Sequence, residues 1–140
     1  ALFAAYILFL CAVFFLREPI GRVRINLVPF DTITTYLTRL SENSINTDIV
    51  MRGIFGNILL MLPLGAFAAM YAALREKSGK IFLALSLAFI AATELLQFAF
   101  RMGECDIDTI MLRFVGVVIG YGVIRLTSSL IARGREVAAR

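Results

Sequence analysis

A long, mostly apolar segment, Ile81–Phe100 (IFLALSLAFIAATELLQFAF), is followed directly by Arg101. About 20 mostly apolar residues are enough to cross a membrane as a helix. Spacings of three, four and seven residues place Glu94, Gln97 and Arg101 on one face of that helix. Ionisable groups at the end of a span usually face a partner or a cavity, so this polar stripe predicts a site.

The composition of the whole chain indicates an integral membrane protein. Apolar residues make up 60% of the 140 residues, charged residues make up 17%, and the mean hydropathy is +0.87. A soluble domain is about half apolar and about a quarter charged. A soluble all-α protein is the weaker interpretation, because the chain has too little polar sequence to cover such helices.

Three more apolar stretches predict further spans. Gly53–Leu74 has full length, whereas Ala1–Leu16 and Ile110–Ile124 are short, and the last has room to extend to Ile131. Ala1–Leu16 has no basic region in front of it and is interpreted as a retained helix rather than a signal peptide. We therefore predict a single all-α domain over residues 1–140, with transmembrane helices at about 1–16, 53–74, 81–100 and 110–124.

The first loop, Arg17–Arg52, predicts an additional helix that lies in the membrane interface or re-enters the bundle. Within it, Thr32–Leu40 places apolar side chains on one face, and Asp31 stands where an N-cap residue is expected. The polar segment Asn43–Asp48 predicts a turn.

The basic residues near the span ends bear on orientation. With four spans, the link after the second span and the C-terminal tail carry seven Lys and Arg on one side, and the opposite side also carries seven. The compact link and the basic tail favour both termini in the cytoplasm. The pI of about 9.5 then reflects attraction to anionic lipid, and the absence of a basic–aromatic platform argues against a nucleic-acid partner.

Connectivity draws polar residues from four segments to one end of the bundle. The first loop, the start of the second span, the end of the third and the start of the fourth share one membrane side. These segments carry Asn26, Asn57, Glu94, Gln97, Arg101, Asp106 and Asp108. All of these except Asn26 are the predicted ligand-binding residues, and they face outward if both termini are inside.

Several interactions are expected within this end of the bundle. Asn57 is expected to bond across to Glu94 or Gln97. Arg113 needs a carboxylate if it is buried, and Glu94 or Asp108 is the expected partner. The spacing Gly116-x-x-x-Gly120 predicts a packing face.

Asp106 and Asp108 precede a predicted helix, where carboxylates cap free N–H groups. Alternatively, the pair holds a divalent cation, to which Glu94 and Glu104 would add oxygen ligands. The chain has no histidine, so any acid–base chemistry rests on other groups, with Glu94 and Asp108 as candidates. Its two cysteines give no metal-site spacing, and the acids near Cys105 are expected to raise the pKa of its thiol.

Five different short motifs follow one another along the chain in a distinctive order. They are Asn26–Phe30 (NLVPF), Asn57–Gly65 (NILLMLPLG), Glu94–Gln97 (ELLQ) with Arg101, Asp106–Asp108 (DID), and Gly116 with Gly120-Tyr121. The ordered set resembles the VanZ-like family of small integral membrane proteins, named for a glycopeptide (teicoplanin) resistance protein. The resemblance implies a cell-envelope protein, in some members linked to lower sensitivity to glycopeptide antibiotics. Thr109 and Arg113 stand where that family usually has an acidic residue and an Asn.

Three functions remain open at this point. In the first hypothesis, the polar site binds the anionic head group of a membrane lipid, a cell-wall precursor or a glycopeptide-related ligand. Alternatively, the protein is a membrane enzyme that acts on such a lipid-linked substrate through Glu94 or Asp108. In the third hypothesis it is a structural or partner protein, and the charge stripe only locks the helix bundle.

Overall fold

The computed structural model of the chain describes residues 1–16, 24–75 and 79–138. In chain order its elements are α1 (Leu2–Phe15), β1 (Ile25–Asn26), α2 (Asp31–Ser41), α3 (Thr47–Met51), a π-helical turn (Arg52–Gly56), α4 (Asn57–Arg75), α5 (Gly79–Ala99), β2 (Cys105–Asp106) and α6 (Ile107–Ala138). The predicted all-α class is confirmed, and so is the predicted helix in the first loop, which is α2. Residues 17–23, 76–78 and 139–140 lie outside the described residues, together with the basic residues there that entered the orientation count.

Three helical segments in the described chain are long and apolar enough to cross a membrane, namely Thr47–Tyr71, Gly79–Ala99 and Ile107–Arg135. Each contains most or all of a predicted span, and all three begin earlier than the predicted spans at 53, 81 and 110. α1 has 14 residues. At 1.5 Å per residue it is about 21 Å long, against a hydrocarbon core of about 30 Å. The count of four spans therefore stays a prediction.

Glycines let α4 and α6 pack with their backbones in contact. A Cβ added to Gly116 would lie 2.1 Å from the carbonyl oxygen of Ile58, and one added to Gly120 would lie 2.0 Å from that of Leu62. Gly65 on α4 meets the backbone of α6 in the same way. No larger residue fits at these distances, so the predicted packing face is confirmed and explains the close approach of the two helices.

α1 packs against α4 and α5 through Leu10 and Phe14, both of which are buried. The Tyr6 hydroxyl donates a hydrogen bond to the carbonyl oxygen of Leu60 at 2.8 Å. At the other end of α1, the carbonyl oxygen of Phe14 accepts one from Nε2 of Gln97 at 3.2 Å. The C-terminal end of α1 is thereby fixed beside the polar end of α5.

α2 is held to the bundle by the first turn of α6. Its N-cap residue, Phe30, has a φ of 67° and provides no side-chain cap. Instead, the Asp108 carboxylate accepts hydrogen bonds from the backbone N–H groups of Phe30 and Ile33, the latter at 3.1 Å. The prediction of Asp31 as the cap is wrong, because its carboxylate pairs with Arg24 at 3.1 Å. The free N–H groups of α2 are satisfied by a carboxylate far away in sequence.

A short parallel pairing ties the first loop to the segment before α6. β1 and β2 pair with Ile25 opposite Cys105 and Asn26 opposite Asp106. Oδ1 of Asp106 accepts hydrogen bonds from Nδ2 of Asn26 at 3.2 Å and from the backbone N–H of Asp108 at 3.0 Å. The predicted capping of α6 is thus confirmed for Asp106, whereas Asp108 caps a different helix.

A candidate ligand-binding cavity

A cavity of about 850 Å³ lies at the end of the bundle where α2, the π-helical turn, the end of α5 and β2 meet. Most of the residues predicted as ligand-binding are brought together here. Its lining includes Arg24, Tyr36, Arg39, Arg52, Asn57, Glu94, Gln97, Glu104, Asp106, Thr109 and Arg113.

The inner end of the cavity is formed by a buried ion pair. Nη1 of Arg113 pairs with Oε2 of Glu94, and their side chains are 6% and 4% exposed. Oε1 of Gln97 lies 3.4 Å from the same nitrogen, and Oδ1 of Asn57 accepts a hydrogen bond from Nε at 3.1 Å. The guanidinium carbon also lies 4.6 Å from the centre of the Phe14 ring, close enough for a cation–π contact. Glu94 or Asp108 was the expected ion-pair partner of Arg113, and the partner in the structure is Glu94.

Asn57 has a different role from the predicted one. Its Nδ2 donates to the carbonyl oxygen of Gly53 at 2.6 Å, inside the π-helical turn, while its oxygen accepts from Arg113. No hydrogen bond joins it to Glu94 or Gln97 among those of the described residues, so that expectation is wrong. Because the side chain uses both ends, it links the irregular turn to the buried ion pair and positions the guanidinium.

The predicted stripe breaks at Arg101. α5 ends at Ala99, and Arg101 has a φ of 56° and is exposed. The backbone N–H of Met102 donates to Gln97 at 2.8 Å, and that of Arg101 donates to Phe98 at 3.0 Å. This pair of bonds is a Schellman motif, which usually has Gly rather than Arg at its left-handed position. The expectation that Arg101 shares a helix face with Glu94 and Gln97 is therefore wrong, and Arg101 is not part of the described cavity lining.

Asp108 is committed to the fold. It is fully buried, its two oxygens accept the backbone N–H groups that begin α2, and it is not part of the described cavity lining. Asp106 does line the cavity. Among residues 1–16, 24–75 and 79–138, no three His, Cys, Asp or Glu side chains are grouped so that they could hold a metal ion. The alternative of a divalent cation at Asp106 and Asp108 has no support in that part of the chain.

The sequence did not single out the residues of α2 that line the cavity. The Tyr36 ring packs on the π-helical turn so closely that a Cβ on Gly53 would lie 2.6 Å from its Cε2 atom. Burial raises the pKa of the Tyr36 hydroxyl, and the nearby charges of Asp106 and Glu104 raise it further. Arg39 follows Tyr36 by three residues and lines the same cavity. The three-residue spacing of Tyr36 and Arg39, in a helix rich in Thr, is the feature of the sequence that could have indicated their place at the cavity.

Cys105 behaves as the sequence predicts. Burial raises the pKa of its thiol, and the charges of Glu94 and Asp106 raise it further. The thiol is free and the residue is buried. A thiol held neutral in this way is a poor nucleophile, so the residue is best explained by its place in the short strand pairing opposite Ile25.

The charges that line the cavity fall into paired and unpaired groups. Arg113 is neutralised by Glu94, and Arg24 pairs with Asp31. Arg39 and Arg52 are exposed and have no ion-pair partner within the described ranges. The cations without an ion-pair partner in that part of the chain therefore lie on the side formed by α2 and the π-helical turn.

These features define an α-helical membrane protein with a polar cavity at one end of its bundle. A family model described as VanZ/LLP1 matches residues 3–128, which is most of the chain. The chain belongs to the VanZ/LLP1 family, as the order of its motifs predicts. No curated protein and no solved structure matches it.

Proposed function

We propose that this protein binds the anionic head group of a membrane lipid or a lipid-linked cell-wall precursor in the polar cavity. The observation that carries the proposal is the pair Arg39 and Arg52, which line the cavity without an ion-pair partner among the described residues. A guanidinium presents a planar fork of N–H donors that matches a phosphate or carboxylate. Arg101, which the sequence favoured for this contact, lies outside the described lining, so the role passes to these two residues.

The buried pair has a different task. Because Glu94 already neutralises Arg113, a bound anion would obtain little favourable electrostatic energy from that guanidinium. The pair instead fixes the ends of α5 and α6 and closes the inner end of the cavity. The hypothesis of a charge pair that only locks the bundle thus fits Glu94 and Arg113. Binding of the ligand is assigned instead to Arg39 and Arg52, which are exposed.

The enzyme hypothesis has less support. One of its two candidate residues, Asp108, is committed to backbone hydrogen bonds, and the other, Glu94, is held by Arg113. Binding without turnover therefore accounts best for the observed contacts. With both termini in the cytoplasm, the cavity faces outward, where a bound lipid-linked precursor would connect the protein to glycopeptide sensitivity.

Lipid titration of the purified protein tests the proposal. Phosphatidylglycerol is added in detergent, and the bound fraction is measured by native mass spectrometry. Exposed ion pairs contribute up to about 1 kcal/mol each, so Arg39→Gln with Arg52→Gln should weaken binding about tenfold. Arg133→Gln is the matched control, since Arg133 is exposed near the end of α6 and outside the described lining. Equal affinity in the double variant and the wild type refutes the proposal.

A further inference from the structure

The cavity also holds negative charge that no arginine of the described residues neutralises. Glu104 is exposed, lines the cavity and has no ion-pair partner within the described part of the chain. Asp106 is buried and lines the cavity, and its Oδ1 atom accepts hydrogen bonds from two neutral donors, Nδ2 of Asn26 and the backbone N–H of Asp108. These two carboxylates come from β2 and the residue before it, whereas the unpaired arginines come from α2 and the π-helical turn.

Tyr36 lies near both groups of charge. Arg39 follows it by one helical turn, and the Tyr36 ring packs on Gly53, the residue after Arg52. The charges of Asp106 and Glu104 also act on its hydroxyl. One cavity of about 850 Å³ is therefore lined by two cations and two anions that have no ion-pair partner among the described residues.

This arrangement selects the chemistry of the ligand. A head group that carries only negative charge gains at the arginines and is repelled by the two carboxylates. An ammonium group carries three N–H donors and no acceptor, so it suits a pair of carboxylate oxygens. A phosphate matches the guanidinium groups in the same way.

We infer that the bound head group carries a protonated primary amine together with its phosphate, as phosphoethanolamine lipids do. The phosphate lies at Arg39 and Arg52, and the ammonium lies at Glu104 and Asp106. This assignment rests on the proposed function and adds the second half of the ligand. A quaternary ammonium lacks N–H donors, so phosphatidylcholine binds less well than phosphatidylethanolamine.

The experiment compares three lipids with identical acyl chains: phosphatidylethanolamine, phosphatidylglycerol and phosphatidylcholine. Each is titrated into the detergent-purified protein, and the dissociation constant is measured by native mass spectrometry. Phosphatidylethanolamine should bind about fivefold more tightly than either of the others, the factor that corresponds to about 1 kcal/mol. Glu104→Gln should reduce this preference, because it weakens phosphatidylethanolamine binding and relieves the repulsion of phosphatidylglycerol. Glu42→Gln, at the exposed end of α2 and outside the described lining, is the matched control and should keep it.

The outcomes separate this inference from the proposed function. Equal affinity of the wild type for phosphatidylethanolamine and phosphatidylglycerol overturns the inference, and so does an equal loss for both lipids in Glu104→Gln. The proposed function survives either result if the double variant of Arg39 and Arg52 still weakens both lipids. If that double variant binds every lipid as tightly as the wild type, the proposed function fails and the inference fails with it.

Discussion

Replacing Arg113 by Met removes the cation of the buried ion pair while keeping most of the side-chain volume. Glu94 is then left buried without its counter-charge, and the oxygens of Asn57 and Gln97 lose a donor. Breaking a buried ion pair by removing one partner costs about 3–5 kcal/mol, and this loss dominates. The interhelical hydrogen bond that Asn57 accepts from Arg113 adds about 0.6 kcal/mol, and the contact with the Phe14 ring adds about 0.5–2 kcal/mol. We therefore expect Arg113→Met to destabilise the protein by about 4–8 kcal/mol.

A double-mutant cycle in detergent provides the assay. Glu94→Gln alone should also destabilise the protein, because it leaves Arg113 charged and buried. Glu94→Gln combined with Arg113→Met removes both charges, so its cost should fall below the sum of the two single costs by about 2 kcal/mol. Free energies of unfolding are measured by denaturant titration followed by circular dichroism, with the exposed Arg133→Met as the control. Additive effects of the two substitutions would show that the pair is not a coupled ion pair and would refute the reasoning.

Three further predictions concern the fold around the cavity. Asp108→Asn leaves a weaker acceptor for α2 and should cost about 1–2 kcal/mol, visible as faster hydrogen exchange of the Phe30 and Ile33 amides; unchanged exchange would contradict the cross-helix cap. Gly120→Ala places a Cβ 2.0 Å from a carbonyl oxygen of α4 and should lower the melting temperature by several degrees, whereas Gly134→Ala, which meets nothing within 4 Å, should not. The raised pKa of the Cys105 thiol means less thiolate at neutral pH, so its alkylation should accelerate only as the pH rises above the ordinary range for cysteine; a rate that levels off at or below that range would refute the shift.

The helical content and the membrane class were predictable from the sequence, because long apolar stretches need no tertiary information to be recognised. The helix in the first loop was also predictable from its one-sided apolar pattern, and α2 matches the prediction within one residue at each end. The convergence of polar residues on one end of the bundle followed from connectivity. Asn57, Glu94, Gln97 and Asp106 were placed correctly by that reasoning, and all four line the cavity.

The errors have local physical causes. The predicted stripe includes Arg101 because helical spacing does not show that the backbone leaves the helix just before it. α5 ends at Ala99, and Arg101 adopts the left-handed conformation that Gly usually provides. Asp31 is the predicted cap of α2 because it is the neighbouring acid in the sequence. Carboxylates that are distant in sequence, however, can also bond the free N–H groups at the start of a helix. Here Arg24 holds Asp31, and Asp108 supplies the cap. A pattern along one helix cannot show which side chain from another element hydrogen-bonds to the free N–H groups at its start.

A bundle of apolar helices in the VanZ/LLP1 family, with its polar groups at one end, follows from the sequence alone, because apolar runs, helical spacing and connectivity are properties of the chain. Which charges neutralise one another, and which stay available to a ligand, depends on the folded arrangement. Those pairings depend on distances of a few ångströms between different helices, since the Coulomb energy and the hydrogen-bond geometry both vary steeply over that range. Arg113 is therefore part of the fold, and Arg39 and Arg52 are left to face the cavity.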